Sequence, residues 1–308
     1  MENTRAKTTR NSLILLLTAT IWGMAFVSQS KGMDYMHPFT FNGVRSLIGA
    51  AGILVYILIS RKIAGDKAAK LDWKLNVRAG LLCGIFLTIA STLQQFGIKY
   101  TSVGKAGFIT TLYIIFVPMF GIFLKKKVAP VVWAAAGMAA VGMYLLCMTE
   151  SLRLGAGDIM VFLCAIAFAI QIMTVDHYAA RIDGAVVSCI QFTVCGVVCC
   201  IGALIWGQPT FGQIQEGLGA LLYAGVLSCG VGYTLQIVGQ KGLNPTVAAL
   251  IMSLESVIAT ISGWIAYKIG FLSTDQTLTP RQIAGCVIVF AAVILVQLPP
   301  EWFRFGKK

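Results

Sequence analysis

Long apolar stretches separated by short polar breaks constrain this chain more than any other feature. A helix crossing a hydrocarbon core of about 30 Å needs about 20 mostly apolar residues. Ten stretches meet that requirement, at 12–30, 38–60, 78–98, 103–124, 130–148, 157–177, 185–206, 218–238, 245–267 and 280–298. Backbone polar groups in lipid have to be satisfied within their own segment, so helices are expected. The expected fold is an all-α membrane protein of ten transmembrane helices. Charged residues are 12% of the chain, against about 25% in soluble domains. A soluble enzyme, a disordered chain and a coiled coil are excluded.

The breaks agree with the spans. Pro38, Pro130, Pro245 and Pro280 each open one, where a missing N–H is harmless. Asn244 and Thr279 stand where N-caps belong. Pro118 alone lies inside a span, so a kink is expected there. The longest connections, about 61–77 and 268–279, are too short for a soluble domain. The first span is expected to be retained, since no small-residue cleavage site follows it and nine more spans do. The nine cysteines all lie in apolar runs, and none forms CxxC. They read as small packing residues in a reducing compartment, the Cys195, Cys199, Cys200 cluster included.

The net charge of +12 records orientation rather than nucleic-acid binding, because the basic residues form no single stripe. With the N-terminus in the cytoplasm, the inside segments hold 17 Lys and Arg and the outside segments 6. Lys125, Lys126 and Lys127 fall inside, and the loop at 207–217, without Lys or Arg, falls outside. Both termini are therefore expected in the cytoplasm of a cell carrying this multi-pass protein in its plasma or inner membrane.

The two halves, 1–150 and 151–308, resemble each other. Thr92-Leu93-Gln94, Gly97 and Lys99 recur 142 residues later as Thr234-Leu235-Gln236, Gly239 and Lys241. An offset of 146 places Trp22 on Phe168, and Asn42 and Arg45 on Ser188 and Gln191. Five spans is an odd number, so the second copy is expected upside down. Inverted five-plus-five repeats belong to secondary transporters, whose site lies near the midplane between the copies.

Several motifs extend the reading. They are Ile21-Trp22-Gly23, Arg45, the run Leu93-Gln94-Gln95-Phe96-Gly97-Ile98-Lys99-Tyr100-Thr101-Ser102, Ala106-Gly107-Phe108, Phe116-Val117-Pro118 and Ser253-Leu254-Glu255. On these residues the chain resembles the drug/metabolite transporter superfamily in its EamA-type branch. The resemblance covers nearly the whole chain. It implies ten helices in a five-plus-five inverted repeat and movement of small organic solutes, often outward. It tilts the substrate toward an amino acid or related metabolite. The sequence departs from the family at Ser256, where a proline is frequent. It also departs at the ends of spans 4 and 9, which lack the frequent Gly-Glu pair. No role attached to those positions carries over.

Depth along each span, at about 1.5 Å per residue, selects site residues. Trp22, Tyr113 and Glu255 each fall about 15 Å deep, near the midplane, with Phe168 close to that level. Thr18, Trp22, Ala25 and Gln29 share one helical stripe, and Cys164, Phe168, Gln171 and Val175 another. Trp22, Tyr113, Phe168, Gln171 and Glu255 are the expected substrate-binding residues. Asn42, Arg45, Gln94, Gln191 and Gln236 are expected as gates or interhelical polar contacts. Arg45 is expected to be partly structural, an anchor beside Asn42, with an ion pair to Glu255 left open. Glu255, whose repeat position is taken near Val117 or Pro118, is expected to break the symmetry of the fold. It could exchange a proton as the cavity alternates, or pair with a substrate ammonium. Gly80 and Gly84 are expected to let helices approach. Asp158, Asp176 and His177 lie at span ends and are expected to be solvated.

These readings point to a secondary transporter working by alternating access. The expected partners are a small-molecule substrate, the lipid bilayer and protons. No cofactor, metal or nucleic acid is expected, and the chain is expected as a monomer or homodimer. An uncoupled facilitator or uniporter is the alternative. A membrane-embedded enzyme is weaker, because the two histidines, His37 and His177, lie in separate loops without paired carboxylates or HExxH.

Overall fold

In the computed structural model, which describes residues 2–65, 71–124, 128–147, 155–273 and 276–297, the helices fall where the apolar runs do. They are α1 (Glu2–Gly32), α2 (Pro38–Ala64), α3 (Trp73–Ile98), α4 (Val103–Thr111), α5 (Tyr113–Phe123), α6 (Pro130–Cys147) and α7 (Ala156–Tyr178). Then come α8 (Gly184–Gly202), α9 (Phe211–Glu216), α10 (Leu218–Leu222), α11 (Tyr233–Gln240), α12 (Pro245–Met252), α13 (Leu254–Lys268) and α14 (Pro280–Gln297). No strand occurs among the described residues. Eight helical passages are long and apolar enough to cross a membrane, and the shorter apolar α6 and α14 complete ten. At 18 residues each, these two span about 27 Å.

The capping expectations hold. Asn244 accepts from the Thr246 N–H, and Thr279 accepts from the Gln282 N–H while Gln282 accepts from the Thr279 N–H. Such reciprocal bonds satisfy donors that a helix start leaves free.

Two passages are interrupted. The fourth breaks at Leu112, between α4 and α5, and the ninth at Ser253, between α12 and α13. The interruption expected at Pro118 thus stands six residues earlier, with Pro118 inside α5. A proline ring crowds the carbonyl four residues before it, which loosens the turn on its N-terminal side. At the second break Ser256 does without the proline. Its N–H and hydroxyl both donate to the Ser253 carbonyl, at 3.1 and 2.8 Å. The eighth passage is irregular in another way. Tyr223–Gly232, between α10 and α11, winds as a π-helix.

Helices of the first half pack mainly on helices of the second. α2 lies on α8, α3 on α7 and α8, and α1 on α13 and α11, while α6 and α14 pair with each other. A Cβ on Gly80 would meet Ile190 Cβ at 2.6 Å, and one on Gly84 would meet Val194 Cβ at 2.9 Å. Both glycines therefore let α3 close on α8, as expected. The cysteines described are free thiols, most of them buried, and no metal-binding group occurs among the described residues.

At one end of the bundle Asn11 donates to the Lys241 carbonyl at 2.7 Å, and Asn76 accepts from the Asp183 N–H at 2.9 Å. Opposite, Lys105 pairs with Asp158 at 2.6 Å. Each end thus gathers segments that the charge distribution assigns to one side. Lys125, Lys126 and Lys127 lie outside the described residues. Asp158 is a correction. It is 4% exposed, not solvated, and it takes further bonds from Thr101 and the Gly155 N–H. A carboxylate in the first turn of a helix, beside a lysine, has enough donors to be buried. His177 is exposed, as expected. At the Lys105 end, His37 caps α2 through Nδ1, and burial together with the Lys99 charge holds its imidazole below the usual range.

Candidate functional site: a central cavity between the halves

Three elements fix the middle of the bundle. α1 supplies a stripe, and the two interrupted passages supply Tyr113, the first residue after one break, and Glu255, the second after the other. α4 and α12 start 142 residues apart, at Val103 and Pro245. Aligned on those starts, Glu255 has Tyr113 as its counterpart, not Val117 or Pro118. The two meet. The Tyr113 hydroxyl donates to Glu255 Oε1 at 3.1 Å, across 142 residues of chain. Glu255 is 3% exposed and Tyr113 2%. The carboxyl group is thus half of a bonded pair.

A cavity surrounds this pair. All five expected substrate-binding residues, Trp22, Tyr113, Phe168, Gln171 and Glu255, line it. Trp22 packs against Tyr233, ring centroids 4.5 Å apart, and its Nε1 is buried without a hydrogen-bond partner among the described residues. Gln171 pairs with Gln236 through two amide contacts at 3.3 and 3.5 Å. Gln94 donates to the Thr110 hydroxyl at 3.2 Å. Both Gln94 and Gln236 line the cavity while bonding between helices.

Arg45 also faces the cavity. It is 5% exposed, and its Nε has no partner among the described residues. Asn42 donates to the Ser91 carbonyl on α3 at 2.9 Å, an interhelical contact separate from Arg45. No ion pair joins Arg45 to Glu255 among the described residues. The guanidinium lies over the Phe41 ring, 5.4 Å from its centroid. Gln191 is fully buried, its two amide atoms have no partner among the described residues, and it does not line the cavity.

The sequence reading left out Tyr233, Ser228, Thr110 and Gln29, which all line the cavity. Gln29 was on the α1 stripe and could have been taken from it. Tyr233 and Ser228 sit on or beside the π-helix, whose wider turn changes which residues face inward. No periodicity shows that in advance.

The cavity volume is about 30 Å³, room for roughly two waters. An organic solute fits only if the helices part.

The sequence profile of the EamA-like transporter family matches residues 10–148 and again 155–298. The chain belongs to this family. An uncharacterized transporter of Archaeoglobus fulgidus is 27% identical over 290 residues, 92% of this chain and 84% of that one. The uncharacterized transporter YwfM of Bacillus subtilis is 24% identical, over 94% of each chain. A protein of known crystal structure shares the fold, with a TM-score of 0.74 and 16% identity over 96% of this chain and 99% of that one. This EamA-family protein is thus a multi-pass membrane protein of a transporter family, within the drug/metabolite transporter superfamily.

Proposed function

We propose that the protein is a secondary transporter that moves a small organic solute, such as an amino acid or related metabolite, by alternating access of the central cavity. Two inverted halves, 1–150 and 151–308, would rock about it with both termini in the cytoplasm of the plasma or inner membrane. The observation that carries the reading is the placement of Glu255, a buried carboxyl group lining a small cavity of mixed polar and apolar residues between the halves, two residues after a helix break. Intramembrane ionisable groups mark transport paths, and transporter sites form at interrupted helices between repeats. The doubled family match, one per half, supports the two-unit division.

Glu255 also offers a coupling device. With Tyr113 rather than Arg45 as its partner, its carboxyl group is not locked into an ion pair. It is free to trade a proton against solute as the cavity changes sides. The test is Glu255→Gln in proteoliposomes loaded with a transported solute. Coupling requires loss of pH-gradient-driven accumulation, while exchange or downhill flux survives. Unchanged gradient-driven transport in a folded variant would leave Glu255 as a packing residue. The uncoupled facilitator would then be the better reading.

A further inference from the structure

The start of α3 sets cations above an apolar groove on the outer surface of the bundle. α3 has 26 residues, about 39 Å of helix, against a hydrocarbon core of about 30 Å. Lys99 follows its far end directly, so the excess falls at the start, and Trp73, Lys74 and Arg78 stand at headgroup level. All three are exposed. Lys74 and Arg78, at i and i+4, share one face of the helix, about 6 Å apart along its axis. Neither has an ion pair among the described residues. Carboxylates at this end are used elsewhere. Asp72 caps α3 and Asp183 caps α8, and Asp176 is engaged as well.

Below the cations the same face turns apolar. Lys74, Arg78, Trp73, Val77, Leu81 and Leu82 line an open groove of about 600 Å³. At Leu82 it meets a second groove of about 430 Å³, walled by Phe120 and Phe123 of α5 and by Met173 and His177 of α7. Both volumes lie in the range of about 300–1,000 Å³ that ligand sites have. Arg181 donates to the His177 carbonyl at 3.4 Å, which brings a third cation to the same rim. Neither groove shares a residue with the central cavity.

We propose that the two grooves hold one anionic phospholipid, its phosphate between Lys74 and Arg78 and its acyl chains along Leu81, Leu82 and the wall of α5 and α7. A soluble anion would meet the cations and leave the apolar grooves unused. A zwitterionic lipid would fill the grooves but bring an ammonium that Lys74 and Arg78 repel. A lipid of net negative charge satisfies both parts. The guanidinium of Arg78 suits a phosphate, which it can hold through two parallel bonds, and an exposed tryptophan suits the headgroup level. Basic pockets between transmembrane helices take anionic headgroups in this way. The lipid would touch both halves, through α3 and α5 of the first and α7 of the second.

The test is native mass spectrometry of the purified full-length protein in detergent. The probes are dioleoylphosphatidylglycerol and dioleoylphosphatidylcholine, which share their chains and differ in net charge. One phosphatidylglycerol should stay bound, about tenfold or more tightly than phosphatidylcholine, since each cation at an anionic headgroup adds a several-fold preference. Lys74→Gln combined with Arg78→Gln should remove most of that preference. Arg61→Gln combined with Lys62→Gln, which removes two cations from the last turn of α2, should leave it in place. If the Lys74 and Arg78 double variant does not fold, each single variant is measured, and each should lose part of the preference. Glycerophosphoglycerol, the same headgroup without chains, should not displace the bound lipid at equal concentration. Four results would overturn the proposal. They are equal retention of the two lipids, a preference that survives the loss of Lys74 and Arg78, an equal loss in the Arg61 and Lys62 variant, and displacement by the chainless headgroup. The third would show a general effect of basic charge, and the fourth a plain anion site.

Discussion

Tyr113 and Glu255 bind each other in the centre of the protein, and each owes its burial to the other. Tyr113→Phe removes the one donor that the Glu255 carboxyl group has among the described residues. A buried polar group stripped of its partner costs about 1–3 kcal/mol. Thermal unfolding of the purified variant should show a lower melting temperature, and Glu255→Gln combined with Tyr113→Phe should cost less than the two changes added. An unchanged melting temperature in Tyr113→Phe would show that the carboxyl group is satisfied elsewhere. Much of this level was legible in the sequence. Counting residues from a span end gives depth, and depth alone selected Trp22, Tyr113, Phe168 and Glu255. Counting says nothing about azimuth. Arg45 was therefore read as an anchor beside Asn42, although α2 turns the two side chains to different neighbours. The pairing of Asp158 with Lys105 was missed for a related reason, because residues 53 apart in sequence meet only through the packing of α4 on α7.

Among the elements, α1 makes a close approach beside the site. A Cβ on Gly23 would stand 2.6 Å from Ile258 Cβ and 2.8 Å from the Glu255 carbonyl oxygen. The glycine beside Trp22 thus lets α1 seat against α13 at the carboxyl-bearing turn. A backbone oxygen cannot swing aside, so Gly23→Ala should force the helices apart. Overpacking of this kind costs about 1–3 kcal/mol. The variant should melt lower and lose solute binding further, because Trp22 moves with α1. Full binding with normal stability would contradict the contact. Helix starts were legible from Pro38, Pro130, Pro245 and Pro280, because proline acts locally. The breaks at Leu112 and Ser253 were not. Leucine and serine are unremarkable inside a helix, and what interrupts these passages is a shift of hydrogen bonding to carbonyls three residues back. The π-helix of Tyr223–Gly232 was equally hidden, since Gly225, Gly230 and Gly232 permit it without dictating it.

At the scale of the whole molecule, the main packing lies between the two halves, and the cavity sits in that packing. A space of about 30 Å³ holds no organic solute, so the proposed transport needs the interface to open. The repeat in Thr92-Leu93-Gln94 and Thr234-Leu235-Gln236 made the two-part organisation legible. The alternation of successive spans sets which segments share an end, and the Asn11–Lys241 and Lys105–Asp158 contacts follow it. The central claim is alternating exposure of this cavity. Ala25 lines it and is 1% exposed, so a small thiol fits there. The direct measurement places Ala25→Cys in a variant without the native cysteines and applies a membrane-impermeant thiol reagent. The reagent is given to intact cells in one sample and to inside-out vesicles in the other. Alternating access predicts labelling from both sides while the membrane stays tight to the reagent. Labelling from one side only, from neither, or with leakage of the reagent across the membrane would contradict it.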